Sequence, residues 1–160
     1  MFAQRVVSSI MTLAVLLTAG CGDSTGPTDP QTELNANRAL WNRSGIVSYR
    51  MTLIRTIGSD DPAMASLIGT APILVEVRDG QVAQRTFAAS GVPLGEQFAL
   101  TFPAVPGLFD RIQQAIDQQA IGLAVRYDET LGFPVSIQID VLAGAGDEET
   151  IRVIEFERIE

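Results

Sequence analysis

The side chains able to do chemistry are few in kind. The 160-residue chain has no histidine, a single cysteine (Cys21) and eleven arginines with no lysine. The commonest general base and commonest metal ligand are therefore missing. Without His, Lys or a second Cys, the Ser-His, Cys-His, Ser-Lys and zinc arrangements are excluded, and so is an intramolecular disulfide. No glycine-rich loop follows a strand and opens a helix, so no phosphate cradle is visible. Carboxylates, phenols, hydroxyls and guanidinium groups remain.

Tyr127, Asp128 and Asp140 lie in the most distinctive stretch and could line a polar groove for a ligand or partner. The same stretch reads more simply as a hairpin. Asp128 can bond the backbone ahead of it, Gly132 supplies a positive φ, and Pro134 opens the next strand. Asp147-Glu148-Glu149, preceded by Gly144 and Gly146, offers oxygen ligands to Ca²⁺. It lacks the spaced acids of a calcium loop and is expected to be a solvated turn, as is Asp60-Asp61. A carboxylate-dependent hydrolase needs two acids in different environments facing one cleft. No spacing here selects such a pair, and no metal or cofactor is expected.

The elements that must hold these residues follow from periodicity. A first helix is predicted over 33–44, capped by Thr32, with Leu34, Ala36, Leu40 and Trp41 as its apolar stripe and Gly45 as its stop. Trp41 is expected in the core. Residues 46–57 alternate, with Val47, Tyr49, Met51 and Leu53 on one face, as in a half-buried antiparallel strand. A turn-rich loop follows over 58–71. Strands over 73–78 and 81–87 flank Asp79-Gly80, a two-residue hairpin signal. Within the connection 88–107, Phe98, Leu100 and Phe102 alternate and predict a short edge strand. A second helix carries Leu108, Ile112, Ala115, Ile116 and Gln119 on its apolar face. Strands over 123–127 and 135–141 come next. In the last, Ile151 and Val153 fall on one parity and Ile154 and Phe156 on the other, which a β-bulge near Val153 reconciles. The reading is α+β: an antiparallel sheet with two helices packed on one face, and a helix-plus-three-strands unit that occurs twice.

Residues 1–31 have another character. Met1 to Arg5 carry one positive charge, residues 6–17 are mostly apolar, and Thr18-Ala19-Gly20 are small. The apolar run is too short to span a bilayer and reads as a signal peptide over 1–20. Leu17-Thr18-Ala19-Gly20-Cys21 is similar to the lipobox of bacterial lipoproteins. That resemblance implies cleavage after Gly20 and lipidation of Cys21, with Thr18 departing from the usual aliphatic residue. Several acyl chains anchor stably where one would not. By analogy with Gram-negative sorting, Gly22 after the cysteine points to the outer membrane, facing the periplasm or the surface. Residues 22–31 (GDSTGPTDPQ) hold nothing to bury and predict a disordered tether with an r.m.s. span of roughly 17 Å. A single domain over 32–160 follows.

Several fragments in order resemble the bacterial lipoprotein family called domain of unknown function 6174. They are Leu40-Trp41, Ser48-Tyr49-Arg50, Val75-Glu76-Val77-Arg78-Asp79-Gly80-Gln81-Val82, Phe102-Pro103 and Gly107-Leu108-Phe109-Asp110. Ile112 and Ile116 follow, then Tyr127-Asp128-Glu129-Thr130-Leu131-Gly132-Phe133-Pro134, Ile137 and Ile139-Asp140. The likeness covers about residues 38–142. The cysteine pair that the resemblance would put just after the first strand is absent, and Thr56-Ile57-Gly58-Ser59 stands there. The resemblance implies a fold and a cellular address, not a reaction.

A net charge of −8 disfavours nucleic acid, whose phosphates need neutralising, and is read as solubility. The sequence predicts a non-enzymatic, lipid-anchored module of the cell envelope that binds an unidentified envelope protein or peptide. An inhibitor of an envelope or extracellular enzyme, with 59–68 as its plugging loop, is the alternative. A carboxylate-dependent enzyme is the third reading.

Overall fold

The computed structural model describes residues 29–58, 71–144, 146 and 148–160. The signal segment, Cys21, residues 22–28 of the tether, the 59–68 loop and Asp60-Asp61 lie outside the described residues, as does Asp147. No helix among the described residues is long and apolar enough to cross a membrane.

Helix α1 spans Pro30–Ser44. It starts earlier than Thr32 suggests, because Asp29 is the cap: its carboxylate accepts from the Thr32 N–H at 3.0 Å. Pro30 then takes the first helical position, where its missing N–H costs nothing. The last residues of the expected tether, Pro30 and Gln31, are thus helical. Gly45, at φ 64°, ends the helix in the left-handed conformation. Helix α2 spans Val105–Asp117, three residues ahead of its expected start. Ala104 offers no side-chain cap; the buried Tyr49 hydroxyl accepts from the Val105 N–H at 3.0 Å instead. Val105, Leu108, Phe109, Ile112 and Ala115 are all buried on one face. Gln119, expected on that stripe, lies past the helix end at φ 54°.

Six strands form one antiparallel sheet in the order β3-β2-β1-β6-β5-β4. They are β1 (Tyr49–Ile57), β2 (Ile73–Arg78), β3 (Gln81–Phe87), β4 (Gly122–Tyr127), β5 (Pro134–Asp140) and β6 (Glu149–Arg158). β1 starts later than its alternation suggests, so Val47 stands outside the strand and 54% exposed. The edge strand expected around Phe98, Leu100 and Phe102 is instead a 3₁₀ turn, Glu96–Phe98, followed by irregular chain with Leu100 94% exposed. Asp79 (φ 48°) and Gly80 (φ 77°) make the expected tight turn between β2 and β3. The expected bulge is in β6: Leu53 faces Val153 and Thr52 faces Glu155, leaving Ile154 as the extra residue. Val153 and Phe156 therefore both reach the core while Ile154 is exposed.

The order helix, three strands, helix, three strands repeats as expected, but in element order only. Going from one triplet to the other keeps the order of strands across the sheet and reverses every strand direction. With both helices on one face, no rotation relates two such units.

The core lies between the helices and the face carrying Tyr49, Met51, Leu53, Ile73, Val75, Val77, Ile137, Ile139 and Ile151. Trp41 is its aromatic hub. It meets Tyr49, Phe133 and Phe156 edge-on at centroid distances of 5.5, 6.1 and 5.9 Å, and Phe133 stacks on Phe156 at 4.5 Å. Each such pair adds roughly 1 kcal/mol beyond area burial, so this cluster fastens α1 to the central strands.

Candidate functional site

The three residues singled out by sequence do not share one groove. Tyr127 ends β4 opposite Pro134, whereas Asp140 ends β5 opposite Gly122, five residues and about 17 Å along the hairpin. The Tyr127 ring stacks on Phe109 at 6.4 Å. Burial, with some help from the Glu33 charge, pushes its hydroxyl up to about 12. Asp128 is occupied by its own turn. Its Oδ1 accepts from the N–H groups of Thr130 (3.0 Å) and Leu131 (2.7 Å), and its carbonyl accepts from Gly132 at 2.8 Å. Gly132, at φ 76°, seats that turn against α1; a Cβ there would stand 2.5 Å from the Asn37 carbonyl oxygen and 2.9 Å from Leu40 Cβ. The most distinctive motif of the chain is thus a turn docked on a helix. Asp140 remains apart, with one carboxylate oxygen buried and no hydrogen-bond partner.

The most concentrated charge lies where a solvated turn was expected. Glu149 opens β6 and is only 4% exposed. Arg55 Nε donates to its Oε1 at 2.6 Å, and Arg111 Nε and Nη2 both lie 2.7 Å from its Oε2. Arg111 also donates to Gln114 Oε1, and Arg55 reaches the Thr101 carbonyl. Two guanidiniums therefore close on one carboxylate under the 101–103 chain and the first turns of α2. A groove of about 300 Å³ opens beside them, walled by Thr101, Pro103, Gly107 and Ile151. Neither Glu149 oxygen is left to act as a base, and the arrangement fixes α2 to the ends of β1 and β6. Strand parity carried the signal. Glu149 lies two residues before Ile151 and Arg55 two after Leu53, so both continue core-facing rows.

A second buried acid lies on the opposite face of the sheet. Glu76, 8% exposed, accepts from Arg50 Nε (2.9 Å), Arg78 Nε (2.8 Å) and Gln84 Nε2 (3.2 Å). The two guanidiniums hold its carboxyl down at about 2, against an ordinary 4.5. Both buried acids are thus committed to arginines, on opposite sides of the sheet. Among the described residues, no three acids or cysteines converge as a metal site would require.

A family model matches residues 33–158, from the first turn of α1 to the last residue of β6. The chain belongs to the family of unknown function DUF6174. No curated protein and no solved structure matches it. The match runs past the fragments that carry the sequence resemblance and takes in β6 and Glu149. In this DUF6174 domain, the family-like fragments fall mainly on packing devices. Leu40 and Trp41 hold the docked turn and the aromatic hub, Tyr49 caps α2, and Gly107 packs against Pro103.

Proposed function

We propose that this chain is an exported lipoprotein, anchored through Cys21 to the outer membrane, whose DUF6174 domain is a non-enzymatic binding module of the cell envelope. The observation that carries the reading is the asymmetry of the sheet. One face is filled by both helices; the other carries Arg50, Thr52, Ile54, Leu74, Glu76, Gln84, Arg126, Ser136, Gln138, Arg152 and Glu155, and among the described residues no helix lies over it. A broad, rigid, polar face of that kind suits recognition of another macromolecule. The commitment of Glu76 and Glu149 to arginines supports a non-catalytic role, since an acid–base pair needs carboxyls free to exchange protons in one cleft. The lipobox-like residues 17–21, a few residues ahead of α1, support the address.

Two experiments test it. Labelled palmitate should enter the wild-type chain and not Cys21→Ser; an unlabelled wild type refutes the anchor. A photo-crosslinking residue at Gln138 or Arg126 should trap an envelope partner, and one at Asn42, on the solvent side of α1, should not. Equal yields from the three positions refute the binding face.

A further inference from the structure

The two edges of the sheet are finished differently. At the β3 edge, residues 92–94 fold back on the strand: Phe87 N–H donates to the Val92 carbonyl at 2.9 Å, and Leu94 N–H donates to the Arg85 carbonyl at 2.8 Å. Pro93 bridges Thr86 there and cannot donate. That covers the edge over Arg85–Phe87, the end of β3. At the β4 edge, among the described residues, no backbone hydrogen bond arrives from outside; Gly122–Tyr127 contains no proline, and its one charge, Arg126, is on the face away from the helices. A strand whose outward backbone groups are uncovered is a template for pairing.

A groove of about 370 Å³ runs beside this edge. Leu123, Val125, Tyr127 and Ile112 line its floor, and Pro30 and Glu33 of the first turn of α1 form its wall. That wall is held by a reciprocal amide pair: Gln31 Nε2 donates to Gln113 Oε1 at 2.9 Å, and Gln113 Nε2 donates to Gln31 Oε1 at 2.8 Å. The lip is acidic, with Asp29 and Glu33 both exposed. A strand laid along β4 would place alternate side chains over an apolar floor next to carboxylates.

We propose that the β4 edge takes an extended segment of a partner protein as a seventh strand, with an apolar side chain in the groove and a basic side chain at Glu33. The proposal deepens the binding-module reading and rests on it. The preceding residues 22–28 of this chain are a poor occupant, because they hold one acid, no basic residue and no large apolar side chain. A second copy is a poor one too, since each chain carries −8.

The full chain in detergent micelles is titrated with an end-blocked octapeptide that has threonine at every second position and three valines and one lysine between them, so that valine and lysine share the face turned to the groove and Glu33. Amide exchange over residues 123–127 should slow by about tenfold or more at saturation. The same peptide N-methylated at alternate residues, made in both registers, should lose binding in one register. Glu33→Arg, an exposed helix position, should weaken binding by roughly fivefold through lost charge complementarity. No binding at about 1 mM peptide overturns the proposal. So does binding indifferent to N-methylation in both registers. Protection of β4 that appears without peptide and grows with protein concentration overturns it in favour of self-pairing. Palmitate labelling is independent of all these readings, and crosslinking from Gln138 reports the open face instead, so failure at the edge is separable from failure of the anchor or of the module.

Discussion

Replacing Gly132 by alanine tests whether the family-like stretch around it is a docked turn or a ligand groove. Two costs combine at this position. Holding a non-glycine residue at φ 76° costs about 1 kcal/mol. The new Cβ also lands 2.5 Å from the Asn37 carbonyl oxygen and 2.9 Å from Leu40 Cβ. That carbonyl belongs to the α1 backbone and cannot swing away, so the turn must lift, at about 1–3 kcal/mol for an overpacked contact. The expected total is about 2–4 kcal/mol. Gly80 supplies the control. It has nearly the same φ, 77°, but an added Cβ there meets nothing within 4 Å. Gly80→Ala should therefore cost about 1 kcal/mol, from conformation alone. Urea denaturation of both variants gives the difference directly, and at roughly 3–5 °C per kcal/mol for a domain of this size, thermal melts should separate them too. If Gly132→Ala costs no more than Gly80→Ala, the turn does not bear on α1 and the structural account of the motif is wrong.

Glu149→Gln leaves Arg55 and Arg111 converging on a neutral amide. Because both arginines are partly exposed, a loss of about 2–3 kcal/mol in urea denaturation is expected, and a loss under about 0.5 kcal/mol would show the cluster to be screened. Both tyrosines of the chain are held near 12 by burial, so tyrosinate absorbance should be nearly absent at pH 10 in the folded protein. Since unfolded tyrosines ionise near 10, stability should fall as pH rises from 10 to 12; ordinary titration of both rings in the native state refutes their burial. Glu76 runs the other way. Its contribution should be complete above pH 4.5 and fade as pH falls towards 2, and Glu76→Gln should flatten the stability profile over that interval.

Periodicity and turn chemistry exposed most of the fold. Asp79-Gly80 forced a tight hairpin, and the parity change between Val153 and Ile154 required an extra residue in β6. Where the reading slipped, a long-range partner had outweighed local pattern. The start of α2 is set by a hydroxyl from Tyr49, 56 residues away, so no local cap advertised it. Val47 continues an alternation but lies outside the strand, where its carbonyl accepts from the Gly80 N–H of the neighbouring hairpin turn. Phe98, Leu100 and Phe102 alternate too, yet Phe102 is buried, its carbonyl accepts from Arg85, and the Leu100 side chain stands in water. The Glu149 cluster was hidden differently. Its members come from β1, α2 and β6, and composition alone makes an acid beside two others look like solvated surface. Where a strand alternates, the side each residue takes was legible from parity, though not in β3, whose sequence alternates poorly; which charges meet across elements was not.

The seam between β1 and β6 bears on when this domain can fold. Its partners are roughly a hundred residues apart in the chain, and Arg55 at one end of the seam waits for Glu149. Until β6 has been made, the two hairpin halves have no shared middle, and the hub around Trp41 lacks Phe156. A chain stopped before Glu149 therefore holds two hairpins with no strand to join them, and should not close the sheet.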